Sequence, residues 1–541
     1  MTSPGQSNPD GSRPRLPIIY LRGYAGPTDS INIQTDDPFY GFNTGATHIR
    51  VDGDGDPAFY QFEGPMLRLM TDEKYQLLVH GDQQLLLNTA EDNTLAPDSI
   101  WVYRFYDQAA TTFVPEEGSG GLFQHLVRSF KGHVAAPGFN IEAAAAGLYG
   151  FIRQVLAKTG APKIYLVAHS MGGLVARCMI QKICNMDDRV PAKELVAALF
   201  TFGTPHGGIV TESGLVNWAE QHIGPAGSDI FAPEKMYGYL TPDKIFGELA
   251  PDGWDPRIVS PSDFDTNDIF CFIGTDPKDY SALPRMTVGP KSDGLVRIEN
   301  AYVKGANRAY AYRSHSGAYG EVNSEEGYQN LRRFLFGRWK VTVMFVGLPS
   351  GVAADPVWQA DMRLAVRGLP VLLSEQDAAH WCPIQLNEEL GRVQDTPDHP
   401  VPLVKTFLLD PRHLAHGGQV AHGGRARYVL TLRIMSLREK KGVFDFADHL
   451  EQVPDWAGSL IADVGPNAAG DGLTCWAAWA NDVPGRNADQ DPITDAATPF
   501  VRTADGFRAV VDLPPTATSL AILSPAAKLA ITVMDRTAQP T

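Results

Sequence analysis

The stretch Lys163-Ile-Tyr-Leu-Val-Ala-His-Ser170-Met-Gly-Gly-Leu-Val-Ala-Arg177 decides the fold. Its first half is a continuous apolar run ending in small residues, as a strand buried on both faces requires. Its second half places Met171, Leu174, Val175 and Cys178 at helical spacing. Between them Ser170 sits in Ala-His-Ser-Met-Gly, a variant of the G-x-S-x-G nucleophile elbow. So sharp a strand-to-helix turn strains the serine backbone and crowds neighbouring chain, so the residues two before and two after must be tiny. They are Ala168 and Gly172. The turn lifts the serine hydroxyl above the sheet, and the Met171 amide opens a helix whose positive end favours an oxyanion. A plain helix N-cap is the competing reading of Ser170.

Outward from this turn, strands alternate with helices. Leu16–Leu21, Ile100–Phe105, Leu195–Phe202 and Asp268–Ile273 are short apolar runs. Helices are expected over Gly121–His133 and Asn140–Lys158, the latter with Asn140 as N-cap and Gly160 as its stop. Asn323 is expected to cap a last helix, with Glu326 at N3, that ends near Gly337. This rhythm predicts a mostly parallel sheet with helices on both faces and a ligand site at the strands' carboxyl ends. Two insertions interrupt it. Residues 28–98 are aromatic-rich and suit the lining or covering of a pocket, and residues 209–267 read as a lid.

Length and charge bound the rest. A chain of 541 residues suggests two or three domains. A net charge of −16 argues against a nucleic-acid partner and against adsorption on anionic lipid. The five cysteines (Cys178, Cys184, Cys271, Cys382, Cys475) show neither a disulfide framework nor zinc spacing. Cys178 and Cys184 are expected on one helix and Cys271 in a strand, as core thiols. Residues 1–15 are polar, rich in Pro, Gly and Ser, and read as a disordered tail without an apolar leader. No run reaches the length of a membrane span. Cytoplasmic folding is the expectation, with signal-independent export left open.

From Arg338 the texture becomes β-rich, with runs at 340–348, 362–373, 401–409, 426–437 and 509–513. Residues 338–541 therefore read as a separate sandwich-like domain whose ligand is unknown. In it, His413, His416 and His422 suit a metal or a flexible loop, and Trp456, Trp476 and Trp479 suit core or a ligand platform. Upstream, Asp52, Asp54, Asp56 and Glu63 match calcium-loop spacing. The sixth position, however, is Pro57 where a positive φ is needed, which favours a surface turn.

A serine hydroxyl is a weak nucleophile at neutral pH and needs a base, which in turn needs an orienting carboxylate. His315 is the candidate base and Asp293 the candidate acid, both in loops that follow strands. His206 is the rival base. Asp276, and more weakly Asp279, is the rival acid. His169 precedes the nucleophile and reads as structural support under the turn.

Residues 16–337 resemble the α/β-hydrolase superfamily, and within it the bacterial lipases and GPI inositol-deacylase-like esterases. The resemblance rests on Ala-His-Ser-Met-Gly-Gly, on Gly203-Thr-Pro-His-Gly-Gly208, on Ser292-Asp-Gly-Leu-Val296 and on the loop carrying His315. Asp293 followed by Val296 matches the group's D-x-x-V pattern, and the order Ser170, Asp293, His315 is the superfamily's. The resemblance implies that the loop Arg22-Gly-Tyr24 supplies a second oxyanion amide from Tyr24, partnering Met171. Three positions depart from the pattern: Ala168 for the first elbow glycine, Arg22 for a usual His, and Gly317 where many such lipases place a calcium-binding Asp. The implied activity is hydrolysis of a small-molecule or lipid carboxylic ester through an acyl-enzyme, with no cofactor. A thioesterase or acyltransferase on the same three residues, and a non-catalytic binding module, are the alternatives. The fold alone does not choose among chemistries.

Overall fold

The computed structural model describes residues 13–23, 50–51, 57–58, 63–78, 83–103, 105, 140–209, 230–278, 288–316, 320–351, 353, 356–409, 426–437, 453–466, 473–482 and 497–537. Two compact units divide the chain, one built mainly of Arg15–Arg308 with Arg313–Tyr328, the other of Gln329–Thr541 with Ala309–Tyr312.

In the first unit the apolar runs become the strands of one sheet. They are β1 (Ile18–Leu21), β2 (Gln76–Leu77), β3 (Ser99–Tyr103), β4 (Ile164–His169), β5 (Val196–Phe202), β6 (Ile269–Gly274) and β7 (Asn307–Ala311). Their order is β2–β3–β1–β4–β5–β6–β7, and every registered pair from β2 to β6 is parallel. Every residue of β1, β3, β4 and β6 is buried. Strands covered on both faces need no alternation, which is why these segments read as continuous apolar runs. A central parallel sheet with helices is thus an α/β architecture.

Five helices matter to the site: α1 (Glu63–Asp72), α2 (Gln83–Thr89), α3 (Ile141–Thr159), α4 (Met171–Gln181) and α5 (Glu325–Phe336). The Asn140 side chain accepts the Ala143 N–H at 2.8 Å, and Gly160 ends α3 with φ 65°. Both were legible as start and stop signals. Behind α4, Lys182 reaches the Glu142 carboxylate of α3 at 2.5 Å and the carbonyls of Gly238 and Lys244 at 2.7 and 2.5 Å.

Three expectations change. The segment 28–98 is more than an insertion, because Gln76–Leu77 joins the sheet as an edge strand and α1 and α2 flank it. The cap of α5 is Ser324, whose hydroxyl accepts the Gly327 N–H at 2.9 Å. Asn323 instead accepts the Gly64 N–H of α1 at 3.1 Å, and Glu326 turns to Arg313 at 3.0 Å. A capping box was readable one residue early because Asn and Ser are both good caps and stand side by side. Cys184 lies in a 3₁₀ turn after α4, apart from Cys178. All five cysteines are buried and free.

The second unit holds two antiparallel sheets. Their strands are β8 (Trp339–Val346), β9 (Val357–Val366), β10 (Leu372–Gln376), β11 (Ile384–Gln385), β12 (Val401–Leu408), β13 (Ala426–Leu437), β14 (Trp456–Pro466), β15 (Leu473–Trp479), β16 (Thr498–Pro499), β17 (Val501–Thr503), β18 (Gly506–Asp512) and β19 (Lys528–Asp535). One sheet runs β12–β8–β19–β18–β17; the other runs β10–β9–β13–β14–β15–β16, with β11 paired to β9. A cavity of about 50 Å³ is lined from both, by Val343, Val404 and Ile531 on one side and Leu430, Leu460 and Val464 on the other. The sheets therefore face each other, as the alternating burial along β8 also requires. One helix, Leu386–Val393, was not legible among the strand runs. Trp456 and Trp479 are core, edge to face with centroids 5.6 Å apart, and Trp476 is half-buried.

Residues 1–12 of the expected tail, the helix 121–133 and the histidines 413, 416 and 422 lie outside the described residues, as do Asp52, Asp54, Asp56 and the Glu63 side chain. In the described end of that tail, Arg13 donates to the Phe334 carbonyl and Arg15 to the Glu73 carboxylate, each at 3.2 Å. Among the described residues no helix is long and apolar enough to cross a membrane.

Candidate active site

The site begins with a backbone that few residues tolerate. Ser170 has φ 52° and ψ −127°, between the last residue of β4 and the first of α4. A side-chain-bearing residue held there costs on the order of 1–3 kcal/mol, and such strain gathers at functional positions. The surroundings hold it in place. The Ser170 N–H donates to the Phe202 carbonyl at 2.9 Å, and its own carbonyl accepts the Gly173 N–H at 3.0 Å and the Thr204 hydroxyl at 2.9 Å. No capping bond leaves the Ser170 side chain, which removes the plain N-cap reading. Close approach explains the glycines. A Cβ at Gly172 would lie 2.7 Å from the Arg22 carbonyl oxygen, and one at Gly23 would lie 2.6 Å from the Ser170 Cβ.

The other two predicted side chains converge on this hydroxyl. His315 Nε2 stands 3.0 Å from Ser170 Oγ, and His315 Nδ1 stands 2.8 Å from Asp293 Oδ2. Because a carboxylate only accepts, Nδ1 carries the ring proton and Nε2 is left to accept from the serine hydroxyl. Asp293 is fixed in turn: its Oδ1 accepts the N–H groups of Leu295 at 2.9 Å and Val296 at 2.7 Å. That double anchor explains the spacing from Asp293 to Val296, since the loop folds back on the acid. The His315 N–H also donates to the Asp293 carbonyl at 2.9 Å. Ser170, Asp293 and His315 are 6%, 1% and 2% exposed, so their electrostatics act through little intervening water.

The rivals fall elsewhere. His206 is buried with its Nε2 3.1 Å from the Thr201 hydroxyl, and burial beside Arg177 pushes its pKa well below the ordinary value. It is a neutral core histidine. Asp276 accepts the Lys278 N–H at 2.8 Å, and no bond joins it to His315. Asp279 and Tyr24 lie outside the described residues. His169, as expected of a supporting residue, donates through Nε2 to the His315 carbonyl at 3.0 Å. Burial, and then the neighbouring His315, lower its pKa well below the usual value.

The sequence missed two supports. Arg177 is buried in α4 and donates to the carbonyls of His206, Pro256 and Ile258 at 3.2, 2.7 and 3.2 Å. Burial lowers its pKa to about 10. With Lys182 it ties residues of the expected lid to α4, so described residues between 238 and 258 are anchored beside the elbow helix. The other is Glu321, fully buried beside Asp293 and His315. Its only sequence signal was its position six residues after His315. Among the described residues, His169, His315 and Glu321 form the one cluster of potential metal ligands. Both ring nitrogens of His315 and the Nε2 of His169 are committed to hydrogen bonds.

A buried serine, imidazole and carboxylate thus lie in line, on a turn at the carboxyl end of a parallel strand. Residues 120–226 match the family described as "Putative serine esterase (DUF676)". A triacylglycerol lipase of Pseudarthrobacter phenanthrenivorans is 43% identical over 61 residues, 11% of this chain and 16% of that protein. A triacylglycerol lipase of Burkholderia plantarii is also 43% identical over 61 residues, 14% of its length. The chain thus spans about a sixth or less of the curated relatives it matches. The solved structure of the lin2722 gene product from Listeria innocua aligns with 60% of this chain and 94% of its own, at 12% identity and a TM-score of 0.24. The chain is thus similar over residues 120–226 to a putative serine esterase family and over 61 residues to triacylglycerol lipases.

Proposed function

We propose that the chain is a serine carboxylic-ester hydrolase on the α/β-hydrolase fold, lipase- or esterase-like, acting on an apolar acyl ester. One observation carries this reading: the continuous relay from Ser170 Oγ to His315 Nε2 and from His315 Nδ1 to Asp293 Oδ2, at 3.0 and 2.8 Å.

Ser170 Oγ attacks the ester carbonyl carbon while its proton passes to His315 Nε2. The Met171 N–H, at the first turn of α4, is the donor this reading assigns to the oxygen that becomes negative, while Tyr24, its expected partner, lies outside the described residues. His315 then gives its proton to the leaving alcohol, and an acyl-Ser170 ester remains. Water attacks that ester with His315 again accepting the proton, and Ser170 is regenerated. Asp293 stays ionised throughout, holding the imidazole in one tautomer and offsetting its transient positive charge.

The test compares wild type and Ser170→Ala on p-nitrophenyl esters of graded acyl length, soluble and emulsified, with and without an added alcohol. Ser170→Ala is expected to lose turnover by at least about 10³-fold with its fold intact. Retained turnover in that variant overturns the proposal. A product ester appearing with the added alcohol reassigns the chemistry to acyl transfer.

A further inference from the structure

The second unit encloses a space that its own side chains do not fill. The cavity of about 50 Å³ lies between its two sheets, walled by β8, β12 and β19 on one side and by β9, β13 and β14 on the other. The inner faces of a sandwich pack about 10 Å apart, so long side chains are needed to meet across the gap. Here the strands turn short ones inward. Val341, Val343, Val404, Val464 and Val533 all line the space, and so does Ala462, the cross-strand neighbour of Tyr428. Protein interiors are otherwise packed as densely as organic crystals, and an unfilled volume is destabilising in proportion to its size.

The wall decides what can enter. One water-sized group takes about 10–15 Å³, so the cavity holds about four of them. Each buried water needs roughly two to four polar partners. The backbone N–H and C=O groups of these strands lie in the planes of the sheets, not across them. Among the side chains on the wall only Thr406 and Tyr428 are polar. The Tyr428 hydroxyl is taken by the Arg333 guanidinium, which donates to it. The Thr406 hydroxyl, on a residue 6% exposed, is the polar group the wall presents. One hydroxyl cannot serve about four waters, whereas about four linked methylene-sized groups need no partner beyond the valines. Ala462 and Phe500 are half-buried where the other lining residues are buried, so the way in lies beside them.

We propose that this cavity is a binding site for a small neutral alcohol, a straight chain of about four carbons whose methylenes lie against the valines and whose oxygen meets the Thr406 hydroxyl. Such an occupant fills the void without burying a charge or an unpaired polar atom. Ser170 and its relay take no part, so the site stands whether or not the chain hydrolyses esters.

Methyl NMR of the full chain, labelled at its Val, Leu and Ile methyls and titrated with straight-chain primary alcohols, tests it. n-Butanol should shift the Val343, Leu430 and Leu460 methyls along a saturable curve. Affinity should rise from methanol to a chain of about four carbons and fall for longer ones, which outgrow the space. An affinity that keeps rising with chain length marks unspecific partition and overturns the proposal, as does the absence of a saturable shift. That series needs no variant. Ala462→Leu, which puts a larger side chain into the space, should abolish the n-butanol shifts and raise the thermal unfolding midpoint. Equal n-butanol affinity in that variant overturns the site. Thr406→Val should weaken n-butanol by about three- to tenfold and leave xenon binding unchanged. Unchanged n-butanol affinity there overturns the placing of its oxygen.

Discussion

The Thr204 hydroxyl donates to the Ser170 carbonyl oxygen at 2.9 Å, and the Thr204 methyl carbon would lie 2.6 Å from a Cβ at Gly173. The Gly-Thr-Pro-His-Gly-Gly segment after β5 therefore acts as a clamp on the elbow. It gives the Ser170 carbonyl a second donor beside the Gly173 N–H, and it packs the segment after β5 against the first turn of α4.

Thr204→Val keeps the shape and removes the hydroxyl. The Ser170 carbonyl retains the Gly173 N–H, so the stability cost is expected to be about 1 kcal/mol. Turnover should fall about tenfold, because the orientation of Ser170 Oγ depends on the turn. Thermal unfolding and ester kinetics on one preparation check both figures.

Gly203→Ala tests the convergence at the relay. Gly203 has φ 48°, and a Cβ there would meet Glu321 Oε1, His315 Nδ1 and Asp293 Oδ2 together. Backbone strain alone costs on the order of 1–2 kcal/mol, and the clash adds to it. The variant should unfold at lower denaturant and lose turnover well beyond what its stability loss explains. Denaturant titration at a temperature where both proteins are folded separates the two effects.

Glu321→Gln should stabilise the protein above acidic pH. The folded-state carboxyl sits well above its ordinary 4.5, so the folded protein binds this proton more tightly than the unfolded chain. The resulting stability is fully present below about pH 4.5 and is lost as pH rises through the raised folded value, by up to about 1.4 kcal/mol per pH unit. Gln carries no such dependence. The gap between the two unfolding curves should be near zero at pH 4 and widen toward neutrality, as melting across that range will read.

Lys182 and Glu142 are 7% and 6% exposed at the side chain, and burial raises the Glu142 pKa while the Lys182 contact lowers it. Removing one partner leaves the other unpaired, so Lys182→Met is expected to cost about 3–5 kcal/mol. Lys182→Met with Glu142→Leu should recover most of that loss. Equilibrium unfolding of the single and double variants measures the difference.

Much of this molecule was legible where local chemistry and global packing agree. Strands β1, β3, β4, β5 and β6 are buried on both faces, so apolar runs alone marked them. Asn140 and Gly160 announced the ends of α3 because caps act over three or four residues. Ser170, Asp293 and His315 were legible because each stands in a turn with its own small-residue or donor signature. What escaped depends on distant contacts. Arg177 and Lys182 look like solvent-facing helix cations until carbonyls from residues 238–258 close over them. Glu321 is one acid among many until Gly203 opens space beside it. The edge strand Gln76–Leu77 is only two residues long, too short for any pattern to show.

The central claim is that Ser170 becomes a nucleophile through His315. Intact-protein mass spectrometry after exposure to an alkyl fluorophosphonate, with the adduct mapped by peptide, tests it most directly. Wild type should gain one adduct, on Ser170, and His315→Ala should gain it at least about 10³-fold more slowly. An adduct on another residue, or equal labelling rates in the two proteins, would contradict the account.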